Sequence, residues 1–261
     1  MNPLQLAWTY LRIGVLNELQ YRVNFFIQLL QSFIAVGTGL IGLSLVFGQV
    51  DDLRGWSQPE LLAVMGVHIL MGSIIRSAIQ PNMERLMNDV LNGTLDFALT
   101  KPVDAQAMVS VREFRFWQLT DSIVGLVILG VAVAQLQSTL TAFQIISFIA
   151  ALIMGAVMLY CVWLMVTSIA FWVIRVGDII ELFQGLFAAG RWPVSIYPDW
   201  LRTGMTFLVP VAFAVTIPAE AMTNRLTSGS MLFAFGLTVL FMLLARGVWL
   251  LGLRSYSGAS A

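Results

Sequence analysis

The chain has 261 residues but only one cysteine, one histidine and one lysine. A lone Cys161 excludes a disulfide framework and any cysteine-rich metal site, and within its apolar run it reads as a buried, inert thiol. A lone His68 excludes a zinc pair of the H-E-x-x-H kind. Lys101 stands between Thr100 and Pro102, so no G-x-x-x-x-G-K-[ST] phosphate loop exists and the chain has no ATPase motif. No serine lies in a G-x-S-x-G elbow, and with no catalytic pairing in view, no catalytic residue and no enzyme activity are expected. Charge is also scarce. Charged residues make up 11% of the chain, with 14 cations against 14 anions. The net charge of zero offers no field for nucleic acid.

Apolar residues fill the space that charge leaves. Hydrophobic residues make up 59% of the chain and the mean hydropathy is +0.86, whereas an average soluble domain is roughly 45–50% apolar and about 25% charged. The sequence therefore predicts an all-α integral membrane protein, a single transmembrane domain over 1–261. A crossing helix needs about 20 apolar residues, and six such segments are predicted. They fall at 24–48, 59–79, 116–136, 142–174, 177–190 and 227–250. The uncharged stretch 122–174 must fold back on itself, with its turn at 135–139. No removable signal peptide is evident, and the first span is expected to serve as an uncleaved targeting signal. Residues 4–22 carry an apolar stripe (Leu4, Trp8, Leu11, Val15, Leu19) opposite polar positions. That pattern predicts a helix lying in the membrane interface.

Residues 191–222 divide the topology. Thr203–Ala219 is uncharged but carries Pro210 and Pro218. It crosses the membrane, giving seven spans, or dips in and returns as a re-entrant hairpin, leaving six. Broken backbone at membrane depth is tolerated where protein or a water-filled cavity covers it. With six spans and both termini cytoplasmic, Arg12, Arg22, Arg76, Arg85, Lys101, Arg112, Arg115, Arg175, Arg246 and Arg254 fall inside. Arg54, Arg191, Arg202 and Arg225 fall outside. This split follows the positive-inside rule and favours six. Of the acids near the membrane, Asp121 is the main suspect, with Asp178 and Glu181 behind it. Each lies near a span boundary, where water or an arginine partner is the plainer role. His68 is expected to make a helix–helix hydrogen bond, and Arg76 to anchor at the inner interface or to pair with an acid such as Asp121 or Asp178.

A charged island at 81–115 holds 9 of the 28 formal charges. Within it Met83, Leu86, Met87, Val90 and Leu91 recur at helical spacing, opposite Glu84, Arg85, Asn88 and Asp89. Pro81 suits a helix start and Gly93 its end. The run Gly93-Thr94-Leu95-Asp96-Phe97-Ala98-Leu99-Thr100-Lys101-Pro102-Val103 follows. A second distinctive run is Gly190-Arg191-Trp192-Pro193-Val194-Ser195-Ile196-Tyr197-Pro198-Asp199-Trp200-Leu201-Arg202. The chain closes on Arg246-Gly247-Val248-Trp249 and Gly252-Leu253-Arg254-Ser255-Tyr256.

Over nearly its whole length the chain resembles the permease subunits of export-type (type 2) ABC transporters, in the branch of six-span subunits of this size. The resemblance implies a dimer of permeases, identical or related, in a bacterial plasma (inner) membrane. Each would dock one cytoplasmic ATPase, on which ATP and magnesium would bind; this chain would need no cofactor or metal of its own. It implies that 82–102 is the coupling segment, with Met83, Glu84, Leu86, Met87, Val90, Leu91, Gly93, Asp96, Lys101 and Pro102 contacting the ATPase. It implies further that 4–22 is a connecting helix and 191–222 an external re-entrant cap. His68, Arg76, Arg191, Pro193, Pro210 and Pro218 are candidates for the path or its gate. Two other functions compete. A membrane scaffold subunit would organise partners without moving cargo. An ion-coupled transporter would call for mid-span acids and internal repeats, and the sequence has neither.

Overall fold

A computed structural model describes residues 22–136, 140–173 and 177–256. The expected interfacial helix before Arg22, the turn residues 137–139, Arg175 and the tail from Ser257 lie outside the described residues. Among the described residues the regular structure is helical, apart from one isolated bridge between Leu53 and Trp56. In chain order the helices are α1 (Arg22–Phe47), α2 (Gln58–Ile74), α3 (Gln80–Leu91), α4 (Asp96–Leu99), α5 (Ala105–Val109) and α6 (Thr120–Gln135). Then come α7 (Ala142–Ser168), α8 (Gly177–Ala189), α9 (Asp199–Thr203), α10 (Ile217–Met222) and α11 (Ser228–Ser255).

Among the described residues, five helical stretches are long and apolar enough to cross a bilayer: Phe26–Phe47, Gln58–Leu91, Phe116–Gln135, Ala142–Phe171 and Gly229–Ser255. Asp199–Leu208 and Ala212–Met222 make a sixth only if the two are counted as one span, and they are bent by 79°. The all-α membrane architecture read from composition is what the chain adopts. Helix α8 has 13 residues, short of the length a straight crossing needs. At about 1.5 Å per residue it covers about 20 Å of a hydrocarbon core about 30 Å thick, and any tilt shortens that reach.

Local chemistry places the helix starts. At α2 the Ser57 N–H donates to Glu60 Oε2 at 2.7 Å. At α7 Thr141 and Gln144 cap each other, Thr141 N donating to Gln144 Oε1 and Gln144 N to Thr141 Oγ1. Both pairings are capping-box contacts that satisfy free helix-terminal donors.

Helix α2 is the central element, and α6 packs on it backbone to backbone. A Cβ on Gly66 would lie 3.0 Å from Gly125 O, and one on Gly125 would lie 2.9 Å from Gly66 O. Small residues at such crossings let helices approach closely in a membrane. Gly125→Leu is accordingly expected to cost about 1–3 kcal/mol by overpacking, read as a lower melting temperature in detergent; an unchanged melting temperature would show that the crossing is loose. Gly155 has the same role on α7, where its Cβ would come within 2.6 Å of Ala214 Cα. That contact seats the second arm of the bent segment, whose residues Ala212–Thr216 are all buried.

Candidate functional site: a charged island and an intramembrane cavity

The island is not a separate helix between two spans. Pro81 does not start a new helix, because Gln58–Leu91 runs on as one 34-residue helical stretch through a π turn at Ile75–Ile79. A proline in a helix interior removes one backbone donor and crowds the carbonyl four residues back. Here the wider π turn makes room, and the carbonyl left over, that of Ser77, accepts from Arg115 N–H at 2.9 Å. The island is thus joined to α2 without an intervening loop.

Helix α3 ends at Gly93, which has φ +70°. Gly93 N donates to Val90 O, and Thr94 N to Asp89 O. This is the Schellman arrangement that glycine favours. Beyond it the chain returns along α3 and is stitched to it. Asn82, 1% exposed, donates through Nδ2 to Ala78 O and Glu113 O, and accepts at Oδ1 from Arg112 N and Glu113 N, at 2.6–2.9 Å. Arg112 pairs with Asp89 at 2.6 Å, Arg85 with Glu113 at 2.9 Å and Arg115 with Glu84 at 3.0 Å. Asp89 also accepts from Thr94 Oγ1. Arg246 of α11 reaches Asp104 through two bonds and Gln106 Oε1 through a third. The same guanidinium holds the Asp104 carboxyl below its usual range.

The face of α3 that the sequence offers to a partner is turned inward. Met83 is 0% and Leu86 1% exposed, while Met87 and Val90 are half-buried against the core. The helix is amphipathic because it covers the protein's own interior. The apolar side chains on the outside are Leu91, Phe97 and Leu99, with Phe97 76% exposed, beside exposed Lys101 and Pro102. Leu95 and Ala98, both buried, anchor α4 beneath them. Glu84 and Asp96 are half-buried.

A cavity of about 480 Å³ opens between α1, α2, α7 and α8. It gathers His68, Arg76 and Arg191, three of the residues singled out in the sequence, with Asp121. Arg76 leaves the π turn and binds Asp121 at 2.6 Å, as expected for that acid, and its Nε donates to Gln118 Oε1. The guanidinium lies over Gly72, where a Cβ would be 3.0 Å from Nη1. Ser32 of α1 donates to the other Asp121 oxygen, so the first span is tied to the pair. His68 does not make the hydrogen bond expected of it. Its ring stacks on Phe187 at 4.7 Å and its buried Nδ1 has no partner among the described residues. Arg191 also borders this cavity, from an exposed position in the turn after α8. Pro193, Pro210 and Pro218 do not line the cavity. Pro193 and Pro218 are buried in the packing of the bent segment, and Pro210 sits at its break.

At the far end of α2, Arg225 binds Glu60 at 2.6 Å, donates to Gly55 O and lies over the Trp56 ring at 4.6 Å. Trp56 Nε1 and Arg54 Nη1 both bond Ser195. This network fastens the loop before α2 to the segment between α8 and α9. Arg54 and Arg225, assigned to one membrane face by charge, do meet at one end of the fold, away from Arg85, Arg112, Arg115 and Arg246.

Sequence reasoning did not single out Asn82, Asp89 or Arg112 as a clamp. The only signal was a polar residue just after Pro81, where an orphaned carbonyl calls for donors. No curated protein and no solved structure matches the chain. A family model described as ABC-2 family transporter protein matches residues 33–260. That match takes in the island, the cavity and the bent segment alike, and the chain belongs to the ABC-2 transporter family, as a membrane-spanning permease subunit.

Proposed function

We propose that this chain forms the translocation path of an ATP-driven exporter as one half of a permease dimer, and that it is driven by a separate cytoplasmic ATPase docked on the island. Supporting this, a long helix joins the cavity to the island without a break, and the buried Asn82 bonds with the Arg112–Asp89 pair fasten the returning strap to α3. The observation that carries the reading is the exposed apolar tip Leu91, Phe97 and Leu99 on a welded support. An apolar patch set among charges is what a partner groove requires. Met83, Leu86, Met87 and Val90 shape that support from beneath, and Gly93, Asp96, Lys101 and Pro102 frame the tip. Both termini and the island lie on the cytoplasmic side in this reading, the membrane being the bacterial plasma membrane. ATP and magnesium act on the partner. Closure of two ATPases would tilt α2 as a rigid body through α3, and the Arg225–Glu60 end would face outside, beneath the bent segment.

Affinity purification of the full chain from its native membrane in mild detergent tests this. The expected result is a stoichiometric soluble protein with a phosphate-binding loop. Recovery of the chain with membrane partners alone, under conditions that keep membrane complexes intact, would instead favour a scaffold.

A further inference from the structure

We propose that the cavity between α1, α2, α7 and α8 binds a single-chain amphiphile with one anionic head, the head held by Arg191 and His68 and the tail by the apolar wall. The inference deepens the permease reading by assigning a ligand class to its path.

The charges of the lining decide the sign of the head. Two arginines and one aspartate line the cavity, which leaves one positive charge. That aspartate is already engaged. One oxygen of Asp121 takes the Arg76 guanidinium and the other the Ser32 hydroxyl, so a cationic ligand meets no free carboxylate. Arg191 is the opposite case. Its Nε donates to Ala188 O at 3.3 Å, and among the described residues no carboxylate lies within ion-pair distance of it. Arg191 is exposed in the turn after α8, so its guanidinium has donors left for an anionic head at the cavity mouth.

His68 supplies the second, independent observation. Its Nδ1 is buried and unbonded, and a buried polar atom without a partner is costly. It sits close to the residue before Arg191. A Cβ on Gly190 would be 3.7 Å from His68 Nδ1 and 2.2 Å from Val211, so only glycine lets the α8 end come this near. Both residues line the one cavity, His68 from α2 and Arg191 from the turn after α8.

The remaining wall is apolar, built from such residues as Met65, Leu159, Val162, Trp163 and Phe183. Its volume lies within the about 300–1,000 Å³ typical of small-ligand sites. That suits one alkyl chain.

Binding is tested on the full-length chain alone in maltoside detergent, by native mass spectrometry and calorimetric titration. The probes are dodecyl phosphate, dodecyltrimethylammonium with the same tail, and inorganic phosphate. One dodecyl phosphate is expected per chain, bound about tenfold tighter than the ammonium, the worth of one charge-assisted hydrogen bond. Inorganic phosphate should not compete. Arg191→Gln should erase the preference, Arg191→Lys should keep it, and His68→Phe, which preserves stacking on Phe187, should weaken the phosphate alone. Arg202→Gln, outside the lining, should change nothing.

Equal affinity for both tails, or a preference that survives Arg191→Gln, would overturn the proposal. Competition by inorganic phosphate would overturn the amphiphile and leave only an anion site. Because no ATPase is present, a failure here is separate from a failure of docking, which is scored on the same variants by co-purification.

Discussion

Phe97→Asp is expected to leave the chain folded but unable to retain its ATPase, while Leu86→Asp, eleven residues earlier, is expected to prevent folding. The two side chains are comparably apolar and belong to the same island; burial separates them. Leu86 is 1% exposed and Phe97 76%. Removing a buried leucine forfeits about 1.5–3 kcal/mol of transfer free energy. The carboxylate put in its place would lie in a closed interior with no cation assigned to it, and the sum exceeds the roughly 4–5 kcal/mol at which single substitutions become exceptional. Phe97 makes little packing in the chain itself, so its change should alter stability by about 0.5 kcal/mol or less. If it is the anchor of the docking tip, its loss should cost association about 2–4 kcal/mol, the scale of an interface hot spot. Size-exclusion in detergent reads the first effect and ATPase co-purification the second. A monodisperse Phe97→Asp chain that still brings down its full complement of ATPase would remove the tip from the interface. A well-folded Leu86→Asp chain would show that α3 does not pack as described.

The contrast also shows what a sequence can and cannot convey. The periodicity of Met83, Leu86, Met87 and Val90 correctly marks an amphipathic helix, but periodicity does not say what covers the apolar face. The cover turned out to be the chain's own interior, and the outward patch lies beyond Gly93, where a four-residue helix is too short to show a period. The membrane class was legible because the apolar runs are long and almost free of charge. The continuity of α2 into α3 was not. Pro81 reads as a boundary, and only a π turn, which leaves no sequence signature, lets the helix pass it. The Arg76–Asp121 pair could be anticipated because an acid at a span boundary seeks a cation. The placing of His68 and Arg191 on one cavity could not. The two are separated by more than a hundred residues, and they share a cavity only because Gly190 permits α8 to approach Val211 and α2. The bent segment was legible as broken, from Pro210 and Pro218, but its prolines serve packing rather than the cavity wall.

Asn82→Ala should uncouple the island without releasing the ATPase, the inverse of Phe97→Asp. The Asn82 side chain makes four hydrogen bonds, three of them to the backbone of Arg112 and Glu113. Alanine leaves two N–H groups and a carbonyl there without partners. Each orphan costs about 1–3 kcal/mol where water cannot reach it, so a local penalty of about 3–6 kcal/mol is expected after partial hydration. The loss falls on the strap at 104–115, because α3 keeps its own helical bonds and α4 keeps its buried anchors. The ion pairs cannot compensate. Two of the three between α3 and the strap are substantially exposed and worth little, and only Arg112–Asp89 is well buried. Hydrogen exchange should therefore quicken in 104–115 while ATPase co-purification persists, and the ATP-dependent change in exchange that the docked wild type transmits along α2 should disappear. Asn82→Asp retains the acceptor but loses both donor bonds, and should fall between. If exchange in the strap is unmoved by Asn82→Ala, the rigidity of the island comes from the ion pairs instead, and Arg112→Ala becomes the variant that releases it. If exchange quickens but the ATP-dependent change survives, the strap is not the route by which the ATPase stroke enters α2, and the continuous helix from Gln58 to Leu91 carries it unaided.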